Sequence, residues 1–470
     1  MMKRERGKQL EVVCMDLGEL IPENYLLKQI DKHVSFSFIY DKISHLYSDK
    51  GRASIDPVVL IKMLLVGYLY GIKSERRLEE EISLNIAYRW FCGLGITDKV
   101  PDHSTFSQNR RRRFNGSGIF KEIFNEIVVQ CIETGLVTGE DMVSDGTFVP
   151  ANAASTSKHI VRERIEKSAI SYMAELDKEL SQQKGYKEPE PKQVDKETYK
   201  STTDIECGYV NQPNKKGLGY LAEMSVDTRN GIITGVDVFP ANTMEHTIIL
   251  NHIKTQILDF GLQINNLALD AGYDIGAVHR GLEILGITGY TSTKDYHNNP
   301  MKKGFAYDSR KDCFICRCNK GLRFERIVYK KTNQNYYRIY QIKRKHCLNC
   351  PYLKDCAIDK GAIRINANAH YPSYYANKKR TETAEYHRLK RLRSIWSEGT
   401  FAVLKREHKL KRAIKRGLNQ LSEECLLAAV ALNLKRMVKA IDRIKSYLYH
   451  LLLNNHNISC PHQKSIKLAI

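Results

Sequence analysis

The sequence predicts an α/β protein with an all-helical domain in front of it and a small cysteine-rich insert within it. Three observations carry that prediction. Up to about residue 137, apolar residues recur at helical spacing, with breaks at Gly, Pro and capping residues. From residue 221 to 291, two β-prone runs meet at Asn230-Gly231, and helix and strand patterns then alternate. Six of the chain's twelve cysteines stand between Cys313 and Cys356.

At 470 residues the chain is too long for one simple core. Its composition divides it at 1–137 (helical), 138–306 (first part of the α/β domain, with a helical and linker insert at 151–216), 307–365 (cysteine-rich) and 366–470 (closing helices). Lysine and arginine number 74 against 53 aspartates and glutamates, and the excess of 21 is spread over several segments. Such an excess in folded segments points to nucleic acid, because phosphate contacts supply most nonspecific affinity. The plainer reading is charge that merely keeps a protein dissolved. No apolar run reaches the length of a membrane span, and Met1-Met-Lys-Arg-Glu-Arg-Gly lacks the apolar stretch of a signal peptide. A cytoplasmic protein without a membrane partner is therefore expected. In a long cytosolic chain, clustered cysteines favour metal over disulfides.

The first fifty residues carry little signal. Asp56-Pro57 then opens an apolar run over 58–70, with Pro57 at the first helical position and Gly71 ending it. Ser74 caps a second helix that reaches Trp90-Phe91. After Gly93-Leu-Gly95, Pro101-Asp102-His103-Ser104-Thr105 starts a third helix, which runs into Arg110, Arg111, Arg112 and Arg113. A short helix with a polar start and a basic end, behind two packed helices, resembles a helix-turn-helix reader of DNA. A basic surface helix of an ordinary bundle is the alternative. A helix over 118–134 closes the module.

Asp141-Met-Val-Ser-Asp145-Gly-Thr-Phe-Val149-Pro150 is a short β-rich run with Asp145 near its end, and Gly146 keeps the backbone there accessible. Residues 155–183 are charged and read as helical, and 187–192 as an extended linker. The runs 221–226 and 232–239 form the hairpin at Asn230-Gly231. A helix over 243–258 follows, then the buried strand Leu267-Ala-Leu-Asp270, a helix over 275–285 with Asp274 as its N-cap, and a strand over 287–291. This is a sheet with an antiparallel start, and sites in α/β sheets lie at strand ends.

In the insert, Cys347-Leu-Asn-Cys350 with Cys316 and Cys356 could supply four thiolates to a tetrahedral zinc, with Cys318 the substitute for Cys316. Four thiolates would close the shell and make the site structural; a reduced insert without metal is the alternative. From about Ala384, helical spacing puts Leu389, Leu392, Trp396, Val403, Leu410 and Ile414 on one stripe and Arg391, Glu398, Ala402, Lys405 and Lys409 opposite. Glu398 thus stands among cations. A solvated face with local ion pairs is the plain reading. A metal-holding carboxylate beside phosphate-holding cations is the other, and Asp145 and Asp270 supply two more carboxylates. Three acids from distant segments share a site when they hold divalent cations, whose charge overcomes their repulsion. A last apolar helix over 421–434 serves packing.

Taken in order, Pro101-Asp-His-Ser-Thr-Phe-Ser, Asp145-Gly-Thr-Phe-Val, Leu269-Asp270-Ala-Gly-Tyr and Glu398, with Lys405 after six intervening residues, resemble the motifs of bacterial insertion-sequence transposases of the DDE type. The insert is similar to the zinc-ribbon-like insertion of one subgroup. The resemblance implies a ribonuclease-H-like catalytic domain, with Asp145, Asp270 and Glu398 as the catalytic triad holding two Mg2+ or Mn2+ per site. It implies double-stranded DNA as partner, both the transposon terminal inverted repeats and the target, a homodimer when assembled on DNA, and a nucleoid-associated location. The reaction implied is hydrolysis at transposon ends, then attack of the freed 3′-hydroxyl on target DNA. Arg110, Arg111, Arg112 and Arg113 would bind the ends, and Arg393, Lys405, Lys409 and Arg412 the phosphates. One element departs from the family: Arg391 stands where its Tyr-x-x-Arg places the Tyr, Ser394 where it places the Arg, and Arg393 is one position off. The alternatives are a nuclease that cuts without joining strands, a catalytically inactive DNA-binding descendant, and a phosphatase on small molecules, which the cationic excess disfavours.

Overall fold

The computed structural model describes residues 15–47, 54–114, 116–213, 215–294, 304–353, 356, 358–359 and 361–455. The N-terminal segment read against a signal peptide lies outside the described residues. By its internal contacts the chain divides into two units, residues 1–123 with 434–470, and residues 124–433. Among the described residues, no helix is long and apolar enough to cross a membrane.

The first unit holds α1 (Leu26–His33), α2 (Phe38–Ile43), α3 (Pro57–Leu69), α4 (Glu75–Leu84), α5 (Ile86–Phe91) and α6 (Ser104–Asn109), and α7 (Ile119–Glu133) begins in it. Asp56 caps α3 by accepting from the Val58 N–H at 2.7 Å, and Pro57 occupies the first turn. Apolar residues cover almost the whole circumference of α3, and Leu60, Ile61 and Met63 through Leu69 are buried, so it forms the centre of the unit. The helix expected from Ser74 to Phe91 is two. The Asn85 side chain accepts from the N–H groups of Ala87 (2.9 Å) and Tyr88 (3.2 Å), which ends α4 and caps α5.

The arginine row is also reorganised. After α6, residues Arg110–Phe114 form a π-helical turn, which shifts the register of their side chains from that of an α-helix. Arg110 is buried and paired with Glu75. Arg113 donates to Asn109 Oδ1 at 2.7 Å and stands 4.4 Å over the Tyr47 ring. Arg111 and Arg112 are exposed. Of the four arginines expected to bind DNA ends, Arg110 and Arg113 are thus engaged by local partners, and only Arg111 and Arg112 are exposed.

The second unit begins with β1 (Asp141–Pro150). Residues 155–201, expected to be helix and linker, instead form an antiparallel pair, β2 (Lys158–Lys167) and β3 (Lys192–Ser201), with only α8 (Ala174–Ser181) between them. The strands are joined by backbone pairing and carry exposed cross-strand ion pairs: Arg162 with Glu197 at 2.7 Å, Lys200 with Glu163 at 2.5 Å and Arg164 with Asp195 at 3.6 Å. The partners lie more than thirty positions apart, beyond the reach of a local helical pattern. Next come β4 (Gly208–Gln212), β5 (Lys215–Asp227), β6 (Ile233–Pro240), α9 (Glu245–Phe260), β7 (Asn266–Leu269), α10 (Gly276–Ile284) and β8 (Thr288–Thr291).

These strands form one mixed sheet. Its order is β6-β5-β1-β7-β8, with β4 extending the edge beside the start of β5. The pairs β6/β5 and β5/β1 are antiparallel, while β1/β7 and β7/β8 are parallel. Three antiparallel strands followed by two parallel ones make the ribonuclease-H-like arrangement. The hairpin falls at Asn230-Gly231, where Gly231 adopts φ +76°, a conformation that disfavours any side chain.

The cysteine-rich insert is a second six-stranded sheet, antiparallel throughout. Its strands are β9 (Ala306–Asp308), β10 (Cys313–Ile315), β11 (Gly321–Lys330), β12 (Asn335–Lys343), β13 (Ile358–Asp359) and β14 (Ala362–Asn368). An aromatic cluster of Tyr307, Phe314, Tyr340 and Tyr371 fills its core. The chain then forms α11 (Tyr371–Arg380), α12 (Ala384–Arg393), a π-helical turn at Ser394–Glu398, α13 (Gly399–Glu407) and the long α14 (Leu418–Asn455). Of the expected stripe, Leu389 and Leu410 are buried and Leu392, Trp396 and Val403 are half-buried, while Leu404, outside that stripe, is buried; Ile414 is 38% exposed. The cause is that α13 ends at Glu407, and Lys409 takes a left-handed φ of +68°.

Candidate active site

Asp145 was expected at a strand end, yet β1 continues past it to Pro150, paired with β5. On its other edge β1 pairs with β7 only from Asp141 to Val143, so at Asp145 that edge has opened. β7 ends at Leu269, and Asp270 follows, its Oδ1 accepting the Gly272 N–H at 2.5 Å to cap a 3-10 turn. Both aspartates therefore stand where parallel pairing stops.

Glu398 reaches the same place from the other end of the chain. Arg393, the last residue of α12, sets its Nη1 2.9 Å from Asp145 Oδ2 and its Nη2 3.8 Å from Glu398 Oε1. The π-helical turn between Arg393 and Glu398 accounts for the departure in spacing noted above. A π turn inserts one residue, so Arg393, five positions before Glu398, shares its face as an arginine four positions before it would in an α-helix. Ser394 is exposed instead. The nearest tyrosine, Tyr386, has its hydroxyl 3.0 Å from Ser292 Oγ.

Burial pushes the Asp145 carboxyl up to about 6; Arg393 pulls it down, and Asp270 and Glu245 push it up further. Behind it lies Glu223, fully buried on β5 opposite Gly146. It accepts hydrogen bonds from Ser144 Oγ at 2.8 Å and from the Tyr273 hydroxyl at 2.7 Å. Burial pushes its carboxyl up to about 8, while the hydrogen bonds from Tyr273 and Ser144 pull it down. The sequence reading missed Glu223 and Glu245. An acid inside the apolar run Leu221-Ala-Glu223-Met-Ser-Val226 is the signal that marked the first.

The cations separate into two groups. Lys405 Nζ lies 2.6 Å from Thr147 Oγ1 on β1, and burial, with Lys215 nearby, lowers its pKa. Lys215 Nζ in turn lies 2.7 Å from Glu245 Oε1. Arg412, expected on a phosphate track, donates to the Ala151 and Ala153 carbonyls at 3.1 and 3.0 Å and so anchors the segment after β1. Lys409 lies beyond the end of α13, so it does not continue the face of Glu398 and Lys405. Asp274 is not the cap of α10, whose N-cap is Ile275. It is buried, with Oδ1 2.9 Å from His279 Nε2 and Oδ2 accepting the Lys294 N–H at 2.8 Å.

The carboxylates offer only oxygen donors, which suit a hard divalent cation. Among the described residues, the one group of three potential ligand atoms within 4.8 Å of one another is Glu79, Asp102 and His103, in the helical unit. There, the His103 N–H and Nδ1 both lie 2.9 Å from Glu79 Oε2. Asp145, Asp270 and Glu398 are more widely spaced, with the Arg393 guanidinium between the first and the last.

In the insert, Cys316, Cys318, Cys347, Cys350 and Cys356 line one small cavity of about 30 Å³. Cys318 Sγ and Cys350 Sγ are 3.3 Å apart, and the Lys320 N–H donates to Cys316 Sγ at 3.4 Å. All cysteines among the described residues are free thiols.

Residues 15–112 match the family described as Transposase domain (DUF772), and residues 315–438 match the family described as Transposase DDE domain. No curated protein matches the chain. Among solved structures, the cryo-electron-microscopy structure of a piggyBac transposase synaptic complex with hairpin DNA is similar over 93% of this chain and 84% of that one, at 11% identity and a TM-score of 0.27. So low a score lends the fold no support, and the strand order carries the assignment alone.

Proposed function

On the premise that this chain is a DDE transposase, as its two family matches show, we propose that Asp145, Asp270 and Glu398 are its catalytic carboxylates. With them it cuts insertion-sequence ends and joins them to target DNA. The observation that supports a shared site is the Arg393 guanidinium, which lies against Asp145 at 2.9 Å and reaches Glu398 at 3.8 Å, so strand and helix acids face one another.

The three carboxylates would hold two Mg2+ or Mn2+ ions, which supply positive charge to the attacking and leaving oxygens of an in-line displacement. The protein's own groups orient the DNA. Arg393, which lies against Asp145 and Glu398, and Lys405, which reaches Thr147 two residues beyond Asp145, are the cations that would hold phosphate at the site. Thr147, through its contact with Nζ, keeps the Lys405 ammonium directed at the β1 edge. Arg111 and Arg112 are the candidates for contact with the terminal inverted repeats, and the working form is a homodimer on DNA. Of the insert's six cysteines, the five that line the cavity would hold one structural zinc through four of their thiolates, with Cys318 brought in beside Cys350.

The test is nicking of a labelled transposon end in Mg2+ alongside gel-shift affinity. Glu398→Gln keeps the side-chain shape and removes a metal-holding charge, so nicking is expected to collapse while DNA affinity survives. Normal nicking by Glu398→Gln returns Glu398 to the status of one acid on a charged helix face.

A further inference from the structure

Glu245 opens α9, shortly after β6 ends. A glutamate in the first turn of a helix is ordinary, because the N-terminal dipole favours an acid there. The direction of this one sets it apart. Its Oε1 lies 2.8 Å from the position a Cβ on Gly146 would take, and its Oε2 3.1 Å from that on Gly272. The same position on Gly272 is 2.7 Å from Asp270 Oδ1. The carboxylate thus occupies space left by two absent side chains, one next to Asp145 and the other two residues beyond Asp270. Only 20% of its side chain is exposed. Lys215, 2.7 Å from Oε1, neutralises one side; Oε2 is on the Asp270 side. The ligand atoms of Asp145, Asp270 and Glu245 do not all lie within 4.8 Å of one another, and half-buried acids this near repel unless a cation draws them together.

We propose that Glu245 is a fourth metal-holding carboxylate, set between Asp145 and Asp270. The inference rests on the assignment of those two aspartates made above. Glu398, whose side chain is 64% exposed, then serves the outer side of the site.

The experiment is a Mn2+ titration of the full chain without DNA, followed by the electron paramagnetic resonance of free Mn2+. Glu245→Gln is expected to weaken binding by at least about tenfold, in company with Asp145→Asn and Asp270→Asn. Asp259→Asn, near the other end of α9, should leave it unchanged, and Glu245→Asp, which keeps the charge, should weaken it less. Lys215→Met removes the ion pair but keeps the carboxylate, so affinity should hold. Thermal midpoints without Mn2+ check that each variant folds. Wild-type affinity in Glu245→Gln, with binding lost in the two aspartate variants, overturns the inference and leaves the aspartate assignment standing. A loss in Lys215→Met equal to that in Glu245→Gln also overturns it, since the effect then runs through the ion pair. Wild-type affinity in all three acid variants overturns the aspartate assignment, and the inference with it.

Discussion

The Trp396 ring lies where a side chain on Gly231 would begin: its Cζ3 is 2.1 Å from the position of a Cβ there. The hairpin turn between β5 and β6 is therefore also the seat of the π-helical turn that carries Glu398, two residues after Trp396. Gly231→Ala would combine a strained φ of +76° with displacement of the indole. A loss of about 1–3 kcal/mol in stability is expected. Nicking should fall further than stability accounts for, while gel-shift affinity is retained. Nicking that merely tracks the folded fraction would show that Trp396 does not position Glu398.

Lys405 and Arg412 looked alike in sequence but differ in their contacts. Lys405→Ala should weaken DNA binding irrespective of sequence and flatten the salt dependence by about one unit of slope. Arg412→Met removes two hydrogen bonds to carbonyls, so it should cost stability, on the order of 1–3 kcal/mol, with the salt slope unchanged. Gel shifts at several salt concentrations and denaturant titrations separate the two. Equal slope changes would mean that Arg412 leaves its carbonyls for phosphate.

The insert offers five thiols to a tetrahedral ion that needs four. Protein purified without chelator is expected to carry close to one zinc per chain by elemental analysis. Cys350→Ser should lose it, while Cys316→Ser and Cys356→Ser should differ from each other, because only one of the pair is required beside Cys318, Cys347 and Cys350. Zinc-free wild-type protein would identify the cluster as reduced thiols.

His370 is buried, and desolvation pushes its pKa down to about 4. In the fold it stays neutral to near that pH, whereas the unfolded chain takes up its proton below about 6.5. Its contribution to stability is thus complete above about 6.5 and falls by up to about 1.4 kcal/mol per unit as pH drops towards 4. His370→Gln should remove that part of the slope between pH 6.5 and 4. Parallel thermal-midpoint curves for the two proteins would show that His370 protonates freely in the fold.

What the sequence determined by itself was local. Asp56-Pro57 before an apolar run, Asn230-Gly231 between β-prone runs, and the strand closing at Asp270 each act within a few residues, and the order from β5 to β8 was legible from them. The order of strands across the sheet, and with it the opening of the β1 edge at Asp145, was decided by tertiary pairing. So was the strand character of residues 158–167 and 192–201, which depends on backbone pairing between segments separated by α8. Arg110 turned inward because Glu75 waits on another helix, and Arg393 came into line with Glu398 because one π turn added a residue. Glu245 stood in sequence as one more acid at a helix start; its direction followed from two glycines far from it along the chain. The physical reason is one of range. Caps, turns and periodicity are energies between near neighbours in sequence, whereas a buried charge takes its place from whatever the fold brings to it.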